Sequence, residues 1–211
     1  MKSVRHWLDQ LRAKRSFLHD LCNWATGREL NSGAYTKYVL INRLRRQTNS
    51  RVFIETGTLF GDTARRAASV FERVVTIELD TSLAERAASA LRDLPHVEVL
   101  KGDALNLLPA VLKRPDVRDV LVFLDGHYSG DGTACGSMPE PAVAALRLLA
   151  PAKDRLNCVI VDDFRCFGVE PGFPTKSQLL ECAESNFPEK EFIVQVVWDQ
   201  LQIVRRESPN R

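Results

Sequence analysis

The sequence predicts an α/β fold: an open sheet of five parallel strands, closed by an antiparallel C-terminal hairpin, with helices on both faces and two extra N-terminal helices. From residue 51 onward, short runs of Val, Ile and Leu alternate with helical patterns, which is typical of strands buried on both faces of a parallel sheet. The last two strand-like runs are separated only by Asp199-Gln200, and so short a link allows only antiparallel pairing.

Two helices are predicted before the sheet. Apolar residues recur at helical spacing over residues 3–26, where Gly27 is a plausible stop, and again over residues 33–47. These helices would cover a sheet edge, close over a pocket or pair with another subunit. We therefore divide the chain into an N-terminal helical cap, residues 1–50, and a larger domain, residues 51–211.

Strands and helices alternate along the larger domain. The parallel strands are predicted at residues 51–55, 73–79, 97–101, 119–125 and 157–162. The helices that follow them are predicted at residues 61–71, 81–93, 104–113, 139–150 and 174–186. The hairpin strands are predicted at residues 191–198 and 201–205. All five parallel strands then end at one edge, where open α/β sheets bind their ligands.

The bulk properties exclude several classes of protein. The net charge is +2 with acids and bases interleaved, which gives no electrostatic case for a nucleic-acid or membrane partner. No apolar run approaches the ~20 residues that span a bilayer, and the first residues lack the apolar centre of a signal peptide. Five cysteines without C-x-x-C spacing favour reduced thiols. We expect a cytoplasmic protein.

The turn after the first strand points to a ligand. Apolar residues 52–54 lead to Glu55, then to the turn Thr56-Gly57-Thr58, and a helix opens at Gly61. Glycine lets the backbone approach a ligand, and a helix start offers free N–H groups. The dinucleotide fingerprint G-x-G-x-x-G would need a glycine where this chain has Leu59, so a diphosphate cradle is not favoured. The alternative is that the turn is only part of an α/β architecture.

Every predicted parallel strand ends at or near an acidic residue. These residues are Glu55, Glu78 with Asp80, Asp103, Asp125, and Asp162 with Asp163. A helix N-cap favours aspartate and explains Asp80. Helix capping explains the full set of acidic residues less well, because like charges along one edge of the sheet repel unless a cation or polar ligand bridges them.

Two of these acids suit a nucleoside without phosphates. Glu78 lies 23 residues after Glu55, at the tip of the second strand, where a carboxylate accepts the hydroxyls of a ribose. Asp103 ends the next strand, where it could accept from an adenine amino group. The alternative is that both are solvated loop acids.

Three further acids suit a metal ion. Asp125, Asp162 and Asp163 end neighbouring strands, and converging carboxylates are typical ligands of Mg²⁺. The alternative is that Asp162 and Asp163 only cap the following loop. His127 lies in a glycine-rich loop that is a candidate lid, and it could be a general base, a structural hydrogen-bonding group or a substrate contact.

At these residues the chain resembles the class I S-adenosylmethionine-dependent methyltransferases, over about residues 51–205. The resemblance rests on the Glu55-Thr56-Gly57-Thr58…Gly61 turn, the strand-tip acids Glu78 and Asp103, and the terminal hairpin. It implies a Rossmann-like fold in which the turn holds the methionine part of the cofactor, Glu78 the ribose and Asp103 the adenine. The implied cofactor-binding residues are Glu55, Gly57, Thr58, Gly61, Thr63, Glu78, Asp103, Ala104 and Asp125.

Within that family the turn is similar to the E-x-G-[ST] variant of small-molecule O-methyltransferases. Asp125 and the Asp162-Asp163 pair look like the metal-binding positions of catechol-type and macrolide-sugar-type enzymes. Catechol-type enzymes usually have Asp-Asn at the second position and a lysine three residues after the first aspartate, where this chain has Tyr128. The resemblance implies methyl transfer to an oxygen of a small molecule, with Mg²⁺ on the aspartates, and with Asp125 and His127 as catalytic residues, His127 accepting the proton.

Several other functions stay open. The chain could be a non-catalytic binding module, or could catalyse another reaction on the same fold, because cephalosporin-hydroxylase-type proteins look similar. The absence of an N/D-P-P-Y motif disfavours a nucleic-acid methyltransferase, and Leu59 disfavours a nicotinamide dehydrogenase. The sequence does not identify the methyl acceptor, and the amphipathic N-terminal helices make a homodimer an option.

Overall fold

The computed structural model describes residues 2–26, 32–126 and 140–206, with side chains from residue 14 onward. The α-helices are α1 Lys2–Ala25, α2 Ala34–Thr48, α3 Asp62–Ala67, α4 Thr81–Leu91, α5 Ala104–Lys113, α6 Ala142–Leu149 and α7 Lys176–Asn186. The strands are β1 Val52–Thr56, β2 Arg73–Glu78, β3 Val97–Lys101, β4 Val120–Leu124, β5 Leu156–Val161, β6 Phe192–Val197 and β7 Gln200–Arg205. Short 3-10 helices cover Ala150–Arg155 and Phe164–Cys166.

The strands form one mostly parallel, seven-stranded sheet in the order β3-β2-β1-β4-β5-β7-β6. Strands β1 to β5 are parallel, and β7 pairs antiparallel with both β5 and β6. The predicted strand–helix alternation and the C-terminal hairpin are therefore confirmed. The order reverses between β1 and β4, so the carboxyl ends of these two strands form the switch point at which such sheets bind ligands.

Several boundaries differ from the prediction, and two of these differences have a visible cause in the structure. Helix α3 ends at Ala67 instead of residue 71, and Phe71 packs on the sheet with its ring 5.1 Å from that of Phe53. The hairpin turn lies at Trp198-Asp199, one residue earlier than predicted, because Gln200 already pairs with β6. Trp198 makes this turn with a left-handed φ of 57°.

Helices cover both faces of the sheet because successive strand residues point to opposite sides. On one face, Ile54 and the other strand residues that point to the same side pack with residues of α5, α6 and α7. On the other face, Phe53 packs with residues of α2, α3 and α4. Every residue of β1 and β4 is buried, which explains why these strands read as continuous apolar runs.

The N-terminal helices pack against each other and against the sheet. The Asp20 carboxylate of α1 accepts a hydrogen bond of 2.5 Å from the Thr36 hydroxyl of α2. Ile41 and Leu44 of α2 belong to the buried cluster on one face of the sheet. The division at residue 50 stays a prediction. Among the described helices, none is both long and apolar enough to cross a membrane.

Candidate functional site

The turn after β1 passes close to the end of β4. Gly57 has a φ of 82°, and a Cβ at this position would lie 2.5 Å from the Asp125 carbonyl oxygen and 2.9 Å from the Gly126 Cα. A residue other than glycine would be strained in its backbone and would clash with the neighbouring strand end. Glycine is therefore required here because two backbone segments lie very close together. The sequence analysis had attributed this glycine to the approach of a ligand.

Glu55 lies buried beneath this turn, with only 1% of its surface exposed. The Thr76 hydroxyl donates to Glu55 Oε2 at 2.7 Å, and the Thr58 hydroxyl lies 2.5 Å from that of Thr76. Burial raises the pKa of Glu55 to about 8, so its carboxyl is largely protonated at neutral pH. Glu55 is therefore linked to the turn through the hydroxyls of Thr76 and Thr58. Its predicted contact with a ligand stays a prediction.

Glu78 fixes the turn from the side. Its Oε2 accepts a hydrogen bond of 2.8 Å from the Leu59 backbone N–H, and its Oε1 accepts one of 2.9 Å from that of Asp80. Each carboxylate oxygen offers two acceptor positions, so the carboxylate retains acceptors for a further partner. The predicted ribose contact is compatible with this arrangement.

Asp103 forms the N-cap of α5, where its Oδ1 accepts from the Leu105 N–H at 2.8 Å. Asp80 forms the N-cap of α4 in the same way, as predicted. Next to Asp103, Ala104 and Gly126 line a cavity of about 10 Å³, which has room for at most one water molecule. The cap explains why Asp103 is present, and it leaves the predicted adenine contact as a prediction.

A cleft of about 170 Å³ opens at the switch point between β1 and β4. The predicted residues among those that line it are Gly57, Thr58, Thr63 and Asp125. Gly61 is instead the N-cap of α3, with a φ of 81°, and packs against Leu91. Lys37, which the sequence analysis did not select, lines the cleft beside Asp125.

The three predicted metal-binding aspartates do come together. One carboxylate oxygen from each of Asp125, Asp162 and Asp163 lies within 4.8 Å of the others. Burial, together with the charge of Asp162, raises the pKa of Asp125, and burial also raises that of Asp162, while the charge of Lys37 opposes both shifts. Asp163 reaches this cluster because its φ of 53° departs from the extended strand that precedes it.

A lysine from α2 lies among these aspartates. The Lys37 Nζ is 2.9 Å from Asp125 Oδ2 and 2.5 Å from Asp162 Oδ2. Burial alone would lower the pKa of Lys37, but the surrounding carboxylates together outweigh it and raise that pKa. Lys37 therefore remains an ammonium ion. Its position was visible in the sequence, because Lys37 lies at helical spacing from the buried Leu40, Ile41 and Leu44.

The third aspartate has its own cation. The Arg165 guanidinium lies 2.6 Å from Asp163 Oδ1 and also pairs with Asp199. On the other side, Gln200 Nε2 donates to Asp162 Oδ1 at 3.1 Å. All three carboxylates are thus already compensated by side chains of the chain itself.

These contacts bear on the predicted magnesium site. The oxygen donors are of the type that Mg²⁺ prefers, but this ion needs several of them at about 2.0–2.1 Å in octahedral geometry. The Lys37 ammonium already contacts both Asp125 and Asp162. The arrangement therefore does not fit a divalent ion together with Lys37.

The predicted proton acceptor His127 and the glycine-rich loop lie outside the described residues, as does Tyr128.

No model of a known protein family matches the chain, and no curated protein matches it. Solved structures do match. An O-methyltransferase from Bacillus cereus in complex with SAH has a TM-score of 0.61 at 18% identity, covering 90% of this chain and 91% of that one. The O-methyltransferase TomG from Streptomyces achromogenes, in complex with SAM, has a TM-score of 0.57 at 22% identity, covering 89% and 87%. Cofactor-bound Rv0187 from MTB has a TM-score of 0.60 at 21% identity, covering 97% of both.

At these identities the likeness shows the fold. The chain has the architecture of the class I S-adenosylmethionine-dependent methyltransferases, as the sequence resemblance predicted, over nearly its whole length.

Proposed function

We propose that this protein is an S-adenosylmethionine-dependent methyltransferase that methylates an oxygen of a small molecule. The observation that carries the proposal is the cleft at the β1–β4 switch point, with the glycine turn on one side and Asp125 with Lys37 on the other. The fold supports it, since the structures of similar fold from Bacillus cereus and Streptomyces achromogenes are O-methyltransferases in complex with SAH and SAM.

The cofactor would lie along the carboxyl ends of β1, β2 and β3. We assign the methionine part to the cleft at Gly57, Thr58 and Thr63, since all three line it. We assign the ribose to Glu78, which retains free acceptor positions, and the adenine to the strand tip at Asp103 and Ala104. The methionine, ribose and adenine parts would thus lie at the ends of β1, β2 and β3, at increasing distance from the switch point.

The reaction would be a direct methyl transfer. When bound, S-adenosylmethionine would supply the methyl group: the acceptor oxygen would form the new bond to the methyl carbon, the C–S electrons would stay on sulfur, and the acceptor would lose its proton. The protein would contribute alignment of donor and acceptor and exclusion of water. We propose His127 as the proton acceptor, and Asp125 as the residue that orients the groups at the cleft.

The remaining features are also proposals. The sequence analysis expected Mg²⁺ on Asp125, Asp162 and Asp163. The proposed reaction has no step that involves this ion, because Lys37 contacts two of these residues. The acceptor is proposed to be a small molecule instead of nucleic acid, since the net charge of +2 offers no strong attraction for phosphates. A homodimer stays a prediction.

Calorimetric titration with S-adenosylmethionine and S-adenosylhomocysteine tests the proposal. We expect micromolar binding to the wild-type protein and at least about tenfold weaker binding to Glu78→Gln, because a charged hydrogen-bond acceptor is lost. Glu85→Gln is the matched control, since Glu85 is exposed on α4 and should bind as the wild type does. Absence of binding by folded wild-type protein would refute the assignment.

A further inference from the structure

We propose that the Lys37 ammonium is the resident cation of this site: it takes the place of a divalent metal between Asp125 and Asp162, and its free N–H faces the acceptor oxygen. The exclusion of the metal stands on the geometry of the described residues alone. The role toward the acceptor rests on the proposed function.

The first step is the charge balance of the cluster. Three carboxylates within 4.8 Å of one another would ordinarily require a multivalent cation. Here the chain supplies two cations of its own, Lys37 to Asp125 and Asp162, and Arg165 to Asp163. A divalent ion added beside them would compete with Lys37 for the same oxygens and would be repelled by its charge.

The second step is that Lys37 is held in this position. Helix α2 is fixed to the sheet by the buried side chains of Leu40, Ile41 and Leu44, which share a helical face with Lys37. The start of α2 is tied to α1 through the hydrogen bond from Thr36 to Asp20. The side chain of Lys37 is only 15% exposed, so its ammonium has little solvent to withdraw into.

The third step is the chemistry that an ammonium can supply. Lysine has three N–H donors; one donates to Asp125 Oδ2, and the ammonium also lies 2.5 Å from Asp162 Oδ2. Because Lys37 also lines the cleft, the remaining donor can reach an oxygen of the acceptor. A cation at this point stabilises negative charge that develops on the acceptor as its proton leaves. Lys37 stays protonated throughout, and the methyl carbon passes from sulfur to oxygen.

Binding of Mn²⁺ followed by electron paramagnetic resonance tests the inference without requiring turnover. We expect wild-type protein to leave Mn²⁺ free, and Lys37→Ala to gain a site at least about tenfold tighter, because Asp125 and Asp162 are then left without their ammonium. Asp162→Asn combined with Lys37→Ala should lose that site again. Lys113→Ala is the matched control, since Lys113 is exposed on α5, and it should behave as the wild type.

Two results would overturn the inference: tight Mn²⁺ binding by the wild-type protein, or no gain of binding by a folded Lys37 variant. Lys37→Met, which keeps an apolar stem of similar length, replaces Lys37→Ala if circular dichroism shows that the alanine variant is unfolded. Binding of S-adenosylhomocysteine is measured on the same samples. If the wild type fails to bind it, the proposed function fails, while the Mn²⁺ result still decides whether Lys37 excludes the metal.

Discussion

The backbones of Gly57 and Asp125 lie so close together that a methyl group at position 57 would be 2.5 Å from the Asp125 carbonyl oxygen. The two residues belong to the ends of β1 and β4, the adjacent strands at which the sheet order reverses. The wall of the cleft is therefore set by backbone contact between strands, and its shape depends on one glycine.

Gly57→Ala should destabilise the protein by about 1–3 kcal/mol, since alanine is strained at a φ of 82° and must also displace the end of β4. Urea unfolding measures this loss, and calorimetry should show weaker binding of S-adenosylhomocysteine. Gly33→Ala is the control: its Cβ would meet only the Ser16 hydroxyl, at 3.2 Å, and its φ is −68°. Equal stability of the Gly57 and Gly33 variants would contradict the packing argument.

The buried Glu55 should make stability depend on pH. Its pKa is raised by burial from 4.5 in the reference state to about 8 in the folded protein. The folded chain therefore binds this proton more tightly than the unfolded chain does. The stabilising contribution of Glu55 to the free energy of unfolding is complete below about pH 4.5 and declines as the pH rises to about 8. The slope approaches one proton, or about 1.4 kcal/mol per pH unit, within that window.

Glu55→Gln should remove this slope while keeping an acceptor for the Thr76 hydroxyl. Urea midpoints across the window should therefore show the variant gaining on the wild type as the pH rises. The exposed Glu85→Gln should leave the wild-type slope unchanged. A Glu55→Gln profile parallel to that of the wild type would show that Glu55 is ionised in the folded state.

The sequence predicted what depends on local pattern. The strand runs, the hairpin and the cap at Asp80 are each encoded by residues within a few positions of one another, and the structure confirms them. The contact between Lys37 and Asp125 joins residues 88 positions apart, and it depends on how α2 docks on the sheet. The convergence of Asp162 and Asp163 with Asp125 was predicted from the strand ends, but the left-handed φ of 53° at Asp163 that accompanies it was not.

Arg165 should contribute to stability by compensating two buried acids. It pairs with Asp163 and Asp199, whose side chains are 9% and 6% exposed, while its own is 25% exposed. Arg165→Met leaves both carboxylates without this partner, and fully buried pairs lose about 3–5 kcal/mol in this way. Because Arg165 is partly solvated, we expect the lower part of that range, measured by urea unfolding.

Arg51→Met provides the comparison, since Arg51 and Glu72 are both more than half exposed and solvent screens such a pair, so its loss should change stability little. Asp199→Asn in the Arg165→Met background should recover part of the stability, because it removes one of the uncompensated charges. A loss in Arg165→Met no larger than that in Arg51→Met would show that solvent compensates the two acids.

Asp103 and Asp80 allow capping to be separated from ligand binding. Both carboxylates accept backbone N–H groups at the start of a helix, Asp103 on α5 and Asp80 on α4. Alanine at either position should therefore lower the stability measured by urea unfolding, because the cap is lost. Only Asp103 lies at the strand tip that we assign to adenine, so only Asp103→Ala should also weaken binding of S-adenosylhomocysteine, by about tenfold for one lost hydrogen bond. Asp103→Asn keeps an oxygen for the cap and should restore stability more than affinity. If both alanine variants bind S-adenosylhomocysteine as the wild type does, Asp103 is a helix cap alone, and the adenine must be held by other residues.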